Sequence, residues 1–274
     1  MMPLATALAL VPGLEQGAAP LQLQRLAGGH INETWRVETS VGQYTLRLDG
    51  PAAMRPGVAR NRELMLHAAA AAAGLAPPIV CAVPAAQLLV CEYLQGRTWN
   101  DADFQDPAAL QRLGERLQLL HGLAPPAAME ARFDPYALTM SYLRQGYPQQ
   151  AGDDDRLPGG SEPVLLQLQR ALAEIEAAAA TPVIVHGDLP YGNVLENSRL
   201  WLLDWEYAQL ADPIYDVACI VAHLPLSSTL QQRLLSAAGL GPAAARRLPA
   251  AAFVYRALTW AWHLARGERC DAPS

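Results

Sequence analysis

The most informative absence in this 274-residue chain is lysine: all 20 of its basic residues are arginine. Any role that needs a cationic side chain must therefore fall to a guanidinium, which is permanently charged, planar and able to bind oxyanions in a bidentate way. The formal net charge is −6, and only Arg246 and Arg247 are adjacent arginines. Nucleic-acid binding depends on a basic patch or stripe, so a nucleic-acid partner is not expected.

Cysteine is also sparse, and its spacing excludes two kinds of site. A disulfide framework and a zinc site both rely on closely spaced cysteines, and no C-x-x-C sequence occurs in the chain. We therefore expect reduced thiols in a cytoplasmic protein. The four cysteines are Cys81, Cys91, Cys219 and Cys270.

No long apolar run has the features of a membrane span. Residues 67–86 contain no charged side chain, but a glycine and three prolines interrupt any helix there. Residues 1–14 are apolar yet lack a basic segment, so we interpret them as a short leader before the first strand rather than a signal peptide. Because 51% of the chain is apolar and 17% charged, the composition indicates an ordered globular protein without a membrane partner.

The strongest chemical signal lies between residues 183 and 216. A β-branched run, Val183–Val185, leads into His186-Gly187-Asp188, and Asn193 follows that Asp by five positions. Residues 194–203 then read as two short strands around a turn, and the second strand ends at Asp204. The sequence therefore predicts a hairpin with a carboxylate and an amide before it and a second carboxylate directly after it.

Phosphoryl transfer uses this set of side chains. The transferred group bonds little to the protein, so catalysis depends on positioning and on neutralising charge with metal ions. Asp188 suits the base that accepts the proton of an attacking hydroxyl, while Asn193 and Asp204 offer the hard oxygen ligands that Mg²⁺ prefers. The protein-kinase layout is H-R-D-x-x-x-x-N followed by D-F-G. Here Gly187 replaces the Arg, and Asp204-Trp205-Glu206 replaces D-F-G.

With these replacements the chain resembles the aminoglycoside phosphotransferase and choline kinase superfamily. The catalytic motif, the run 203–208 and Asp212-Pro213 with Asp216 are most similar to choline/ethanolamine kinases and bacterial thiamine kinases. The resemblance implies a protein-kinase-like bilobal α+β fold. Residues 1–94 would form a small antiparallel-sheet N-lobe that binds the nucleotide, and residues 95–274 a larger, mainly helical C-lobe. ATP and Mg²⁺ are the implied cofactors.

A glycine-rich segment separates the first two predicted strands. Alternating polar and apolar residues predict strands near 22–26, 34–37 and 44–48. Backbone N–H groups of a glycine-rich loop can approach phosphates closely. The resemblance accordingly assigns Gly28, Gly29, His30 and Asn32 to the nucleotide phosphates; the alternative is an ordinary hairpin turn.

Two charged residues extend the predicted nucleotide site. Arg47 stands in the third strand, where the kinase template has its phosphate-binding Lys, and Glu63 falls in a helix predicted over 56–73, where the template has the acid that pairs with that cation. We therefore predict an Arg47–Glu63 pair, the alternatives being an exposed strand arginine and a solvated helix glutamate. By position alone, the resemblance assigns Glu92 and Leu94 to the segment that joins the lobes and reads the adenine edge.

Two helices of the predicted C-lobe are linked to the catalytic loop. Asp106-Pro107 starts a helix that ends at His121, which we interpret as a core or capping histidine. Asp212-Pro213 starts another, with Asp216 in its first turn. The resemblance gives Asp216 the role of bracing the catalytic loop; the alternative is a simple favourable charge at a helix N-terminus. We expect His186 to brace the same loop rather than take part in the chemistry.

The acceptor site is expected to be aromatic and acidic. The resemblance implies that a late helix, predicted over 250–266, offers Trp260 or Trp262 to a quaternary ammonium group. The two are two positions apart and face different directions on a helix, so at most one lines a pocket. Trp205, Glu206 and Tyr207 directly follow Asp204, and an acid among aromatic rings favours a cationic organic group.

These predictions describe an ATP-dependent kinase that phosphorylates a hydroxyl of a small, cationic metabolite of the choline, ethanolamine or thiamine type. The alternative acceptors are an aminoglycoside antibiotic, homoserine or a sugar. A protein substrate is not expected, because no activation-segment-like stretch separates Asp204 from Asp212. A further alternative, which Arg47 keeps open, is an inactive nucleotide-binding pseudokinase. The sequence leaves the oligomeric state open.

Overall fold

The computed structural model describes residues 2–26, 32–50, 55–127, 129, 133–146, 157, 160–189 and 192–273. They form two compact units, one of Met1–Thr98 with Val194–Ala208 and one of Trp99–Asn193 with Gln209–Ser274. Within the described residues, no helix combines the length and the apolar character that crossing a membrane requires. The helices are α1 Leu4–Leu8, α2 Arg60–Ala72, α3 Asp101–Gln105, α4 Pro107–His121, α5 Pro135–Gly146, α6 Ser161–Glu176, α7 Ile214–His223, α8 Ser228–Ala237 and α9 Pro242–Ala265. The strands are β1 Gln22–Arg25, β2 Asn32–Glu38, β3 Gln43–Asp49, β4 Ile79–Val83, β5 Leu88–Glu92, β6 Arg97–Thr98, β7 Val183–Val185, β8 Val194–Glu196, β9 Leu200–Leu202 and β10 Gln209–Ala211.

The first unit is built on a five-stranded antiparallel sheet with the strand order β1-β2-β3-β5-β4. The alternation that predicts these strands places Leu46 and Leu48 of β3 on the buried face. The segment interpreted as a leader contains α1, and its Ala7, Val11 and Leu14 complete this core. The N-terminal residues are therefore part of the folded unit.

Helix α2 starts later than the sequence predicts. The predicted helix begins at residue 56, whereas α2 begins at Arg60, because Gly57 adopts φ +85°, a left-handed conformation that ends helical geometry. At the other end Gly74 has φ +69°, as expected for a glycine that follows a helix. Glu63 lies in the first turn of α2.

The hairpin predicted over 194–203 is confirmed and belongs to the first unit. Strands β8 and β9 pair antiparallel, with Val194 opposite Leu202, and β6 pairs with β8 on the other side. The backbone N–H of Leu202 donates to the carbonyl of Leu75 at 2.8 Å, which ties β9 to the chain just after α2. The hairpin therefore delivers residues 204–208 next to α2.

The second unit is a helical assembly around α9. Helix α9 packs against α5, α6 and α7, and α4 packs against α3 and α8. The short strands β7 and β10 pair antiparallel, with Ile184 opposite Leu210. Strand β7 ends directly before His186, so the His186-Gly187-Asp188 motif begins where this two-stranded sheet ends.

The predicted start of the last helix is wrong. The sequence places it at residue 250, just after Pro249, but α9 begins at Pro242 and continues through Pro249. A proline inside a helix removes one backbone hydrogen bond. The turns before it are nevertheless held in place, because Ala244, Arg247 and Leu248 are buried.

The contact between α4 and α8 predicts a destabilising substitution. A Cβ atom on Gly114 would lie 2.4 Å from Cβ of Ala237 and 3.0 Å from backbone atoms of residues 237 and 238. We expect Gly114→Ala to lower the free energy of unfolding by about 1–3 kcal/mol through overpacking, measured by urea denaturation. The matched control is Gly122→Ala, where a Cβ would meet only ordinary contacts at 3.5 Å. Equal stability of the two variants would contradict this packing account.

Candidate active site

The loop that carries Asp188 is shaped by one glycine and one buried carboxylate. Gly187 has φ +78°, a conformation that explains why glycine stands where the kinase template has Arg. The fully buried Asp216 accepts hydrogen bonds from the backbone N–H of His186 at 3.0 Å and of Gly187 at 2.9 Å through Oδ1. Asp216 therefore holds the backbone directly before Asp188.

His121 joins the same arrangement, which the sequence did not predict. Its Nε2 lies 2.9 Å from Oδ2 of Asp216, so the last residue of α4 contacts the carboxylate that holds the backbone before Asp188. Interpreting His121 as a core or capping residue missed this contact. Only the fold brings residues 121 and 216 together. His186 is also fully buried, and its Nδ1 accepts a bond from the backbone N–H of Asp188 at 3.3 Å.

Asp188 and Asn193 lie side by side. The amide nitrogen of Asn193 donates to the Asp188 carbonyl at 2.8 Å and to its Oδ2 at 3.0 Å. Both bonds use the nitrogen, so the amide oxygen of Asn193, which makes no hydrogen bond to another described residue, is the atom that can face a metal ion. The side chain of Asp188 is half-buried and its carboxylate is oriented by this amide.

Asp204 occupies a conformation that few residues adopt. It has φ +60°, in the left-handed region that Asp tolerates better than most side chains, and it precedes a 3-10 turn over Trp205–Tyr207. Its side chain is 38% exposed, and its Oδ1 lies 3.5 Å from Nη1 of Arg47. The hairpin thus ends on an accessible carboxylate.

Arg47 and Glu63 form the predicted pair, with Nη1 of Arg47 2.7 Å from Oε1 of Glu63. Burial disfavours the charged form of Arg47, but the attraction of Glu63, Asp204 and Asp49 outweighs it and raises the arginine pKa. Burial likewise opposes ionisation of Glu63, yet Arg47 and Arg60 hold the pKa of that carboxyl below its usual value. Both side chains are therefore charged at neutral pH.

Three further charged side chains, Asp49, Arg55 and Arg60, lie around this pair, and the sequence analysis did not single them out. Nε of Arg60 lies 2.5 Å from Oδ2 of Asp49, and its Nη1 lies 2.7 Å from Oε2 of Glu63 and 3.3 Å from Oε2 of Glu206. Arg55 forms an ion pair with Glu206. The sequence feature that could have pointed to Arg60 is its spacing of three residues from Glu63, which places both side chains on one helix face.

Glu206 and Tyr207, which were predicted to bind the acceptor, form part of this network of charged side chains. Glu206 has only 5% of its side chain exposed and accepts hydrogen bonds from Arg55, Arg60 and Asn32. Nε of Arg55 donates to the Tyr207 hydroxyl at 2.7 Å. Asn32, which the sequence assigns to the glycine-rich loop, is instead the first residue of β2 and pairs with Asp49 of β3. Gly28, Gly29 and His30 lie outside the described residues.

The indole of Trp205 is fully buried, with Nε1 donating to the carbonyl of Leu202 at 2.9 Å. It stacks on His67, whose Nε2 donates to the carbonyl of Pro77 at 2.8 Å. Burial lowers the pKa of His67 below 6.5, although Pro77 and Glu63 act in the opposite direction. The folded unit therefore favours the neutral imidazole at this position.

This shift predicts a loss of stability in acid. A histidine whose folded pKa is depressed contributes stability above its unfolded pKa and loses it as the pH falls through the folded pKa. From about pH 7.5 to about pH 5.5, the wild type should lose more unfolding free energy than His67→Gln, whose amide can still donate to Pro77. Parallel pH profiles for the two proteins would contradict the buried neutral imidazole.

The other predicted residues lie in both units. Glu92 ends β5 with an exposed side chain, and Leu94, two residues on, is half-buried. On α9, Trp260 is buried, whereas Trp262 is partly exposed and carries the guanidinium of Arg266 4.7 Å from the centre of its ring. The indole face of Trp262 thus already holds one cation.

The chemistry of the predicted metal ligands fits Mg²⁺. Within the described ranges, no group of three or more His, Cys, Asp or Glu side chains is arranged so that it could hold a metal ion by itself. Mg²⁺ commonly uses one or two protein ligands and completes its octahedron with water and substrate phosphates. The accessible carboxylate of Asp204 in the first unit is an oxygen donor of this kind, and so is the amide oxygen of Asn193 in the second unit.

Comparison with known proteins places the chain among phosphotransferases. The chain is 26% identical to a choline/ethanolamine kinase family protein from Mesorhizobium loti, whose solved structure matches with a TM-score of 0.77 over 98% of this chain and 87% of that one. The choline kinase LicA from Streptococcus pneumoniae matches with a TM-score of 0.76 at 19% identity, over 94% and 90%. Protein LicA of Haemophilus influenzae is 41% identical over 51 residues, only 18% of this chain and 19% of that relative.

These likenesses confirm the predicted protein-kinase-like α+β fold. The sequence profile of the phosphotransferase enzyme family, APH, matches residues 22–250, which include β1, the catalytic motif and most of the helical unit. The chain therefore belongs to the phosphotransferase enzyme family.

Proposed function

We propose that the protein transfers the γ-phosphoryl group of ATP, with Mg²⁺, to the hydroxyl of a small cationic alcohol of the choline, ethanolamine or thiamine type. The observation that carries the proposal is the arrangement of Asp188: a half-buried carboxylate on a loop held by Asp216, with Asn193 bound to it. The similarity to a choline/ethanolamine kinase family protein supports this acceptor class.

Asp188 acts as the base. Its carboxylate accepts the proton of the acceptor hydroxyl as that oxygen forms a bond to the γ-phosphorus, and the bond to the bridging oxygen breaks to release ADP. A positioned base of this kind contributes roughly 10²–10⁴-fold to the rate. The bonds from Asn193 keep the carboxylate in one orientation, so the protein does not have to reorganise it during the reaction.

Arg47 binds the nucleotide phosphates. Its guanidinium is permanently charged, and Glu63 fixes its position by contacting both Nη1 and Nη2. Asn193 and Asp204 hold Mg²⁺, which neutralises charge on the phosphates when bound. We also assign Gly28, Gly29 and His30 to the phosphates and Glu92 with Leu94 to the adenine edge.

Two of the predicted acceptor-binding residues, Trp205 and Glu206, are buried, which leaves fewer places where the acceptor could bind. Trp205 and Glu206 make internal contacts, so we place the cationic group of the acceptor against the partly exposed Trp262, where it would take the place of the Arg266 guanidinium. Choline, protonated ethanolamine and thiamine each carry a positively charged nitrogen.

We propose the cytoplasm, where ATP is the common phosphoryl donor, as the location of the protein.

A coupled assay of ADP release tests the proposal. We expect ATP- and Mg²⁺-dependent turnover with at least one of choline, ethanolamine and thiamine, and little turnover with homoserine, sugars or aminoglycosides. Turnover confined to the second set would overturn the acceptor class while keeping the kinase. Binding of ATP without ADP release with any acceptor would establish an inactive nucleotide-binding protein instead.

A further inference from the structure

The charged side chains around Arg47 form a closed ring. Asp204 contacts Arg47, Arg47 contacts Glu63, Glu63 contacts Arg60, and Arg60 contacts Glu206. Glu206 follows Asp204 by two positions, so the backbone of the 3-10 turn completes the circuit. The position of Asp204 is thereby fixed from two directions, by Arg47 on one side and through Glu206 on the other.

Arg60 is the residue that closes this ring. Its side chain contacts both Glu63 on α2 and Glu206 in the turn after β9, and its Nε also contacts Asp49 at the end of β3. Its side chain is only 13% exposed. One guanidinium thus connects three separate elements, which a compact ammonium group cannot do with the same geometry.

The charge balance of the network sets Asp204 apart. The three guanidinium groups of Arg47, Arg55 and Arg60 are matched by three carboxylates, Asp49, Glu63 and Glu206, each with no more than 5% of its side chain exposed. Asp204 is the fourth carboxylate and the accessible one, at 38%. Asp204 is therefore the carboxylate of this network that solvent reaches most easily.

We propose that Arg60 is a positioning residue that holds the turn bearing Asp204 in register with the Arg47–Glu63 pair. Its contacts with Glu206 and Glu63 maintain the left-handed conformation of Asp204, which would otherwise relax towards common backbone geometry. The inference rests on the proposed function, since Asp204 matters as a ligand of the metal bound to ATP.

The test uses Arg60→Lys, which keeps the charge but loses the fork, with Arg36→Lys as the matched control. Arg36 lies on β2 of the same unit and contacts Glu38, Gln43 and the ring of Tyr93, all outside the ring of charges. Two readouts are made on each protein: amide hydrogen exchange of residues 203–208, and the dissociation constant of ATP with and without Mg²⁺.

We expect Arg60→Lys to accelerate exchange over 203–208 and to weaken Mg²⁺-dependent ATP binding by about tenfold, within the range for directly coupled residues. Metal-free ATP binding should stay close to that of the wild type, as should both readouts in Arg36→Lys. In a double-mutant cycle with Asp204→Asn, the two losses should be less than multiplicative.

Three results bear on the inference in different ways. Wild-type exchange over 203–208 in Arg60→Lys would overturn it, because the turn would then be held without the guanidinium. Equal weakening of ATP binding with and without Mg²⁺, or multiplicative losses in the cycle, would also overturn it, since a purely structural role gives that pattern. A wild type that gains no ATP affinity from Mg²⁺ would instead overturn the proposed metal role, while faster exchange in Arg60→Lys would still support the positioning contact.

Discussion

Asp188→Asn should bind ATP as the wild type does and yet lose roughly 10²–10⁴-fold in turnover, the usual contribution of a positioned general base. The substitution is nearly isosteric, and the backbone carbonyl of residue 188 can still accept from Asn193 as in the wild type. The neutral amide, however, cannot take up the proton of the acceptor hydroxyl. Steady-state ADP release and ATP titration followed by fluorescence measure the two quantities separately.

The control for this variant is Asp101→Asn. Asp101 is an exposed residue in the first turn of α3 within the same unit, so the same change in charge should leave turnover close to that of the wild type. If Asp188→Asn retained turnover, Asp188 would not be the base. If it lost ATP binding in parallel, its role would lie in holding the nucleotide.

Arg47→Met should have the second large effect, on both stability and nucleotide affinity. Removing one partner of a buried ion pair leaves an uncompensated charge and costs about 3–5 kcal/mol, and Glu63 has only 1% of its side chain exposed. Loss of the phosphate contact should in addition lower kcat/KM for ATP by roughly 10²-fold, comparable to losing a strong charge-assisted interaction. Urea denaturation and steady-state kinetics measure the two effects.

Arg47→Lys separates the two roles of the guanidinium. The ammonium restores a charge beside Glu63, so we expect most of the stability to return. A compact ammonium cannot contact Glu63 and the phosphates at once with the geometry of the planar guanidinium, so kcat/KM for ATP should stay below that of the wild type. Full recovery of both quantities by lysine would show that charge alone is needed at position 47, and an Arg47→Met protein with wild-type kcat/KM would remove Arg47 from the nucleotide site.

The parts of the fold that were predictable from sequence are those governed by local rules. Alternating polarity gave β2 and β3, and a proline after an N-cap residue gave α4, whose Asp106 accepts from the N–H of Ala108. The start of α9 was not predictable in this way. Pro249 is locally a poor helix residue, and only the burial of Ala244 and Leu248 against other helices lets α9 pass through it.

The candidate site also contains some contacts that the sequence could predict and others that it could not. The spacing of Asp188 and Asn193 is short, so their contact follows from one loop. The template suggested the pair of Arg47 and Glu63, and the structure confirms that these side chains meet. The contacts of His121 with Asp216, 95 positions apart, and of Arg60 with Glu206, 146 apart, depend on the tertiary fold and leave no local pattern to recognise.

Burial was the property hardest to infer for the acceptor residues. An acid among aromatic rings after Asp204 predicted a surface for a cation, but Glu206 is surrounded by arginines from two other segments of its unit. Trp205 faces His67 of α2. Neither neighbour is close in sequence, so composition alone could not distinguish a binding surface from an internal network.

The most direct test of the central claim is a ³¹P nuclear magnetic resonance spectrum of the wild type incubated with ATP, Mg²⁺ and choline, ethanolamine or thiamine. The account predicts that the γ-phosphorus signal of ATP is replaced by that of a phosphoryl ester of the alcohol, with ADP in equal amount. If ATP persisted unchanged with all three alcohols, or released only inorganic phosphate, phosphoryl transfer to a small cationic alcohol would be contradicted.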